Sequence, residues 1–290
     1  MKTTVIHHSA DYDGIFCREI ARKFLPAAEL IGWDYKDPKI PFPEGIAYVL
    51  DLSPECFEAL PTDYQTRLIW IDHHKTAIEK WPSQIMGFRI DGVAACRLAW
   101  QWFSRPGEMS NSFPKSKFIE REVNEPVAVR LAGEYDIWDK RDIRAEWMQY
   151  GLRSFTPNES MWAALLRTDE IGEMNLCTIL RDGATCQNYQ QNADAGMMHR
   201  SFLFDWEGLK FLALNTARCN SLTFMAKDVP ETAHDALLGF YWDGGKWNVS
   251  LYHAKHRTDL DLSKIAVKYG GGGHRGACGF ALQKLSWVPS

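Results

Sequence analysis

Residues 3–25 read TTVIHHSADYDGIFCREIARKFL, and this stretch decides the fold class. Thr3–His8 is short and β-branched, the signature of a buried strand. Gly14–Leu25 then places Phe16, Ile20 and Phe24 on one helical face, and Pro26 ends the helix. A strand, a turn crowded with His and Asp, and a helix make a βα unit. The pattern continues outward. Glu29–Tyr35, Ile46–Leu52 and Arg67–Asp72 read as strands, Met86–Ile90 as another. Gly92–Phe103 reads as a helix with Val93, Cys96, Trp100 and Phe103 inward. Strands alternating with helices predict an α/β fold whose N-terminal sheet is mostly parallel and flanked by helices. In such sheets ligands bind beyond the carboxyl ends of the strands.

Further along, residues 104–117 (SRPGEMSNSFPKSK) read as a loop. Asn124 is the expected cap of a helix entered through Pro126 and continuing through Leu131. Glu159–Arg167 and Glu170–His199 read as helices, the second interrupted at Gly183 and long enough to bridge two domains. From about Phe202 the texture changes to strands. Ser201–Trp206 and Leu209–Leu214 flank a Glu-Gly turn, and Ala236–Trp242 and Trp247–Tyr252 flank an Asp-Gly-Gly turn, a strong hairpin signal. These predict a smaller C-terminal α+β domain with a mixed sheet, and an active-site cleft between the two domains. The expected division is 1–185 for the first domain, 186–201 for a helical linker and 202–290 for the second.

A length of 290 residues fits two domains at roughly 150 residues each. The chain is 46% hydrophobic, with 12 Trp, 15 Phe and 10 Tyr, which supplies a core and excludes an acidic disordered chain. Its 33 Lys and Arg against 37 Asp and Glu give a formal charge of −4, which excludes a cationic nucleic-acid coat. Any polyanionic substrate therefore needs a local source of positive charge. Seven Cys without a CxxC pair read as reduced, packed thiols. The polar N-terminus carries no signal-peptide core, and no segment approaches the ~20 apolar residues of a membrane span, so a cytoplasmic protein without membrane contact is expected. The periodicity of Trp33, Trp70, Trp100 and Trp138 assigns them to core packing.

Four clusters of acids and imidazoles carry the chemistry, three of them where strands are expected to end. They are His7-His8-Ser9-Ala10-Asp11-Tyr12-Asp13-Gly14, then Asp51 in YVLDLSP, then Asp72-His73-His74 in IWIDHHKT, then Asp136, with Asp139 as its rival, in GEYDIWD. So many carboxylates and imidazoles at strand ends would be too costly to bury unpaired and call for cations. Imidazole nitrogen and carboxylate oxygen without thiolate suit manganese, magnesium, iron or zinc. Near the C-terminus, Gly270-Gly271-Gly272-Gly273-His274-Arg275 reads as a loop whose glycines can turn backbone N–H groups toward one anion.

Together these motifs resemble the DHH phosphoesterase superfamily, named for the tripeptide standing here as Asp72-His73-His74. The glycine run resembles the GGGH motif of the DHHA1 domain that often follows it, so the resemblance extends from His8 to Phe280. It implies a DHH catalytic domain followed by a DHHA1-like substrate-binding domain, as in nano-RNase or oligoribonuclease-like and RecJ-like phosphodiesterases. It implies two Mn2+ ions, or Mg2+ or Co2+, with His8 and Asp11 on the first, Asp13, His73 and Asp136 on the second, and Asp51 bridging both. It further implies that His74 contacts the scissile phosphate or assists proton transfer, and that Asp72 orients its histidine neighbour. Gly271, Gly272, Gly273, His274 and Arg275 would grip a second phosphate. The implied reaction is hydrolysis of short oligonucleotides or of linear or cyclic dinucleotides to nucleoside monophosphates, by hydroxide held between two metals. The competing readings are a RecJ-like single-strand exonuclease, a bisphosphonucleoside phosphatase and a non-catalytic nucleotide-binding protein. The resemblance also implies a homodimer. One departure stands out: where related domains often carry Arg, this chain has Tyr252 in Ser250-Leu251-Tyr252-His253, so either Arg257 or His253 substitutes or the substrate contact differs. Asn215, Asn220 and Ser221 read as structural loop residues.

Overall fold

A computed structural model describes residues 2–217, 219–226, 230–285 and 287. The chain divides into two compact units, Met1–Gln187 and Asn188–Ser290. The first begins β1 (Thr3–His8), α1 (Tyr12–Phe24), β2 (Glu29–Trp33) and β3 (Ile46–Leu50). It continues through α2 (Tyr64–Arg67), β4 (Leu68–Asp72), α3 (Lys75–Lys80), β5 (Met86–Arg89) and α4 (Ala95–Ser104). Helices α5 (Ser116–Ile119), α6 (Val127–Asp136), α7 (Arg144–Ser154) and α8 (Glu159–Leu165) follow, and α9 (Glu170–Met198) runs across the division without a break at Gly183.

The five strands form one parallel sheet in the order β2-β1-β3-β4-β5. Its register alternates cleanly. Val5, Leu50 and Ile71 join the core beneath α1, α4 and α6, whereas Ile6, Val49 and Trp70 join the cluster on the opposite face. Burial on both faces is why these strands read as continuous apolar runs. The strand order places β1 between β2 and β3, so the chain's connections leave β1 in opposite directions. The β1/β3 boundary is the switch point at which α/β sheets open a ligand crevice. His8 ends β1, and Asp51 follows β3 directly.

One glycine makes the first turn possible. A Cβ on Gly14 would stand 2.1 Å from the His8 carbonyl oxygen, so α1 can start against the end of β1 only with glycine there.

The second unit holds β6 (Phe202–Trp206), β7 (Leu209–Asn215), β8 (Ala236–Trp242), β9 (Trp247–His253), α10 (Ser263–Lys268), β10 (Gly272–His274) and β11 (Ala277–Leu282). These strands form a mixed sheet, β10-β11-β9-β8-β7-β6, in which β7 and β8 are parallel and the other pairs antiparallel. The β8–β9 hairpin closes as its sequence indicates, with Asp243 Oδ1 accepting from the N–H groups of Gly245 and Lys246, each at 2.9 Å. Among the described residues, no helix is long and apolar enough to cross a membrane.

Four local expectations are corrected. Strand β2 stops at Trp33 rather than Tyr35, which moves Asp34 and Tyr35 into the loop beyond the sheet. Helix α6 is capped by Pro126 with no side-chain bond, and Asn124 instead offers its carbonyl to the indole of Trp100 and the amide of Gln101. Trp138 is 58% exposed in left-handed backbone (φ 57°), because α6 ends at Asp136 and its periodicity ends there too. Residues 272–274 are an exposed edge strand rather than an open loop.

Candidate metal centre

The carboxyl edge of the first sheet gathers the sequence motifs. The β1–α1 turn contributes His8, Asp11 and Asp13, the end of β3 contributes Asp51, β4 and the turn after it contribute Asp72, His73 and His74, and the last turn of α6 contributes Asp136. Two groups of potential ligands result, each with donor atoms within 4.8 Å of one another: His8, Asp11 and Asp51, and Asp13, His73 and Asp136. A third grouping, Asp51, His73 and His74, overlaps both.

Asp51 lies between them. Its Oδ2 is 3.5 Å from His8 Nδ1, and its Oδ1 is 3.5 Å from His73 Nε2. On the first side His8 Nδ1 also stands 3.1 Å from Asp11 Oδ2. On the second side His73 Nε2 stands 3.3 Å from Asp136 Oδ2 and 3.6 Å from Asp13 Oδ2. Asp139 is elsewhere, paired through both oxygens with the Arg141 guanidinium. Its neighbour Glu134 is fully buried and held by Arg121 and Arg130, which gives the two acids of the Gly-Glu-Tyr-Asp run separate duties.

Several of these acids are fixed by backbone bonds. Asp11 caps α1, accepting from the Gly14 N–H at 3.0 Å. Asp13 is buried and caps α4, taking the N–H of Ala95 at 2.8 Å and of Cys96 at 2.7 Å where Ala94 has no side chain to do so. Asp72 Oδ1 accepts from the backbone N–H of His73 at 2.8 Å and of His74 at 3.2 Å, and from the His74 ring at Nδ1, 2.7 Å away. Asp51 itself is held in left-handed backbone, φ 60°, with its N–H donating to the Ile71 carbonyl at 3.0 Å.

The electrostatics of this arrangement are those of a site short of positive charge. Burial and the neighbouring Asp51 and Asp136 carboxylates push Asp13 well above its ordinary range. Burial likewise raises Asp136 to about 6 despite the nearby His73. Burial works against charge on His8 and His73, yet the carboxylates around them hold both up to about 10. Asp51, although buried, is held down to about 2 by the neighbouring imidazoles of His73 and His8. Among the described residues, no group meets the buried atoms His8 Nδ1, Asp51 Oδ2 and Asp72 Oδ2 in hydrogen-bonding geometry. Orphaned buried acceptors beside an imidazole nitrogen fit a hard or borderline divalent cation. Burial and the nearby Asp13 carboxylate keep Cys17 and Cys96 as thiols, so the donor set is nitrogen and oxygen alone.

Two residues escaped the sequence reading. Asp34 Oδ1 stands 3.6 Å from His8 Nε2, and the Tyr35 ring packs near His8. The available signal was an acid immediately after a strand, the same pattern as in the other clusters.

In the second unit, Gly273 (φ 130°) pairs with Cys278 so closely that a Cβ would stand 2.6 Å from the Cys278 Cα. The N–H groups of Gly270 and Gly271 donate to Val267 and Ala266 carbonyls, closing α10. The Arg275 guanidinium donates to the Asp259 carbonyl at 3.1 Å. Tyr252 donates its hydroxyl to the Cys219 carbonyl at 3.0 Å, while His253 packs its Nε2 against the Leu260 carbonyl and Arg257 binds Asp235 and Asp259.

No protein-family model matches the chain, and no curated protein matches its sequence. Solved structures do resemble it. A pGpG-specific phosphodiesterase from Vibrio cholerae matches with 14% identity and a TM-score of 0.55, over 98% of this chain and 94% of that one. The DHH domain of a member of the s1p family of ribosomal proteins matches at 12% and 0.53, over 97% and 82%. RecJ from Thermus thermophilus in complex with Mn2+ matches at 15% and 0.50, over 97% of this chain but 49% of RecJ, so the chain spans about half of RecJ's length. At these identities the likeness is one of fold, which this chain shares with a pGpG-specific phosphodiesterase, a DHH domain and RecJ.

Proposed function

We propose that this protein is a divalent-metal-dependent phosphodiesterase that hydrolyses short oligonucleotides or dinucleotides, linear or cyclic, to nucleoside monophosphates. The observation that carries the reading is Asp51, a buried carboxylate whose two oxygens face two separate groups of ligands. His8, Asp11 and Asp51 would hold one cation, and Asp13, His73 and Asp136, again with Asp51, the other, with Mn2+ the best fit and Mg2+ or Co2+ as substitutes. Bound there, such a pair supplies Lewis-acid chemistry: a water acidified toward neutrality and charge neutralisation at phosphorus. The chain's own residues do the rest. Asp72 fixes the His74 ring through Nδ1, which leaves Nε2, on a side chain 41% exposed, to hydrogen-bond a phosphate oxygen or pass a proton to the leaving group. Gly271, Gly272, Gly273, His274 and Arg275 of the second unit are proposed as phosphate-contacting residues.

A short substrate is supported by the formal charge of −4, which leaves no general cationic surface for long nucleic acid. The likeness of fold to a pGpG-specific phosphodiesterase points the same way. The test is a Mn2+-dependent screen over pNpN dinucleotides, longer oligomers, cyclic dinucleotides and 3′-phosphoadenosine 5′-phosphate, with Asp51→Ala as control. Turnover of the dinucleotides that Asp51→Ala abolishes is expected. Preference for a long single strand would turn the assignment to an exonuclease, and full activity of Asp51→Ala would overturn it.

A further inference from the structure

One exposed side chain touches the centre without being a ligand candidate. Tyr35 stands in the loop beyond β2, its ring centroid 6.0 Å from that of His8 at an interplanar angle of 65°. On another side it meets the Trp33 ring at 5.3 Å and 68°. Trp33 is buried, and its indole N–H donates to the Pro38 carbonyl at 2.9 Å. The Asp34 N–H donates to Asp37 Oδ2 at 2.8 Å, so this turn is closed at two points. With all these restraints, Tyr35 remains 53% exposed.

A ring that served only to pack against His8 would be covered. Here it is held between an indole and an imidazole, with half its surface open beside a proposed cation ligand. Tyr has few rotatable bonds, so a fixed and open Tyr is a contact surface that loses little entropy on use. Its partner should be flat and aromatic and should come attached to the phosphate. An inorganic polyphosphate has no use for such a ring, whereas a nucleotide does.

The geometry points to Tyr35 as a specificity-determining residue, the platform on which a nucleobase of the substrate stacks one sugar away from the phosphate beside His8. This inference rests on the phosphodiesterase reading for its substrate class. The test compares wild type, Tyr35→Ala and Tyr35→Trp on a pNpN dinucleotide and on its abasic analogue, both bases replaced by hydrogen. Mn2+ affinity of each variant is measured by calorimetry, as is dinucleotide affinity in Ca2+.

Base stacking lost by truncation to Ala should raise KM and Kd for the dinucleotide about 5- to 100-fold. It should leave the abasic analogue and Mn2+ affinity unchanged, and Tyr35→Trp should restore dinucleotide binding. Equal losses on both substrates, or weakened Mn2+ binding in Tyr35→Ala, would assign the ring to support of His8 and overturn the proposal. Unchanged KM and Kd in Tyr35→Ala would overturn it as well. If wild type hydrolyses neither compound, the phosphodiesterase reading fails. The calorimetry then decides on its own, weaker dinucleotide binding by Tyr35→Ala supporting the platform and equal or absent binding refuting it.

Discussion

The carboxylate of Asp13 caps a helix to which it does not belong, taking the N–H of Cys96 at the start of α4 at 2.7 Å. The same oxygen that faces His73, Oδ2, also accepts from Ala95, so one side chain ties the turn after β1 to α4 and to the centre.

Asp13→Ala should therefore unfold more easily than wild type even with chelator present. Loss of a helix cap costs about 1–2 kcal/mol, and urea denaturation in EDTA measures it. An unchanged midpoint would mean that the cap is replaced by water.

Asp136 should behave oppositely. Its carboxylate meets the His73 ring at 3.3 Å but, among the described residues, caps no backbone N–H, and it crowds Asp51 and Asp11 in a buried site. Asp136→Asn should leave the metal-free protein as stable as wild type or more so, by on the order of 1 kcal/mol. It should abolish the rise in Tm that Mn2+ gives wild type. Thermal melts with and without Mn2+ show both effects, and a retained Mn2+ shift would remove Asp136 from the ligand set.

Asp72→Asn keeps an acceptor for the N–H groups of His73 and His74 but removes the negative charge facing the His74 ring. Losing such a supporting carboxylate typically lowers activity 10–100-fold. Here kcat should fall by about that factor while KM for a dinucleotide stays put, as steady-state kinetics would reveal. A change confined to KM would place His74 in substrate binding alone.

Acid should weaken the helical layer through Asp142. The Arg144 and Arg130 guanidinium groups hold its carboxyl below the usual range, against the effect of burial. A depressed native pKa means stability that is present above the unfolded value of roughly 4 and is lost as pH falls toward the native one. Asp142→Asn should thus be less stable than wild type at pH 7, and the gap should narrow progressively as pH falls below about 4. Parallel urea curves down that range check it, and a constant gap would point to lost geometry rather than charge.

The βα opening, the parallel sheet and the β8–β9 hairpin were all legible in the sequence, because hydrophobic period and turn chemistry are local signals. The four clusters of acids and imidazoles were legible too, three of them where strands were expected to end, whereas the choice of His8, Asp11, Asp13, Asp51, His73 and Asp136 as a ligand set came from the resemblance. What was hidden depends on tertiary contact. Nothing near Asp13 announces that it caps α4, since its partners Ala95 and Cys96 lie far along the chain. Reading β2 two residues too far placed Asp34 and Tyr35 inside a strand and concealed their approach to His8. Trp138 was assigned to the core by a periodicity that stopped at Asp136. The glycine run satisfied the composition of an anion loop, but pairing with β11 uses several of those glycines for close strand contact.

The left-handed backbone at Asp51 bears on how this chain can change over time. Glycine occupies that conformation without steric strain, and Asn does so with little. A descendant released from selection for the chemistry would gain folding stability by exchanging Asp51 for glycine, and would be expected to drift there early. Glycine at this position, with the flanking strands intact, would mark a lineage that had kept the scaffold and given up hydrolysis.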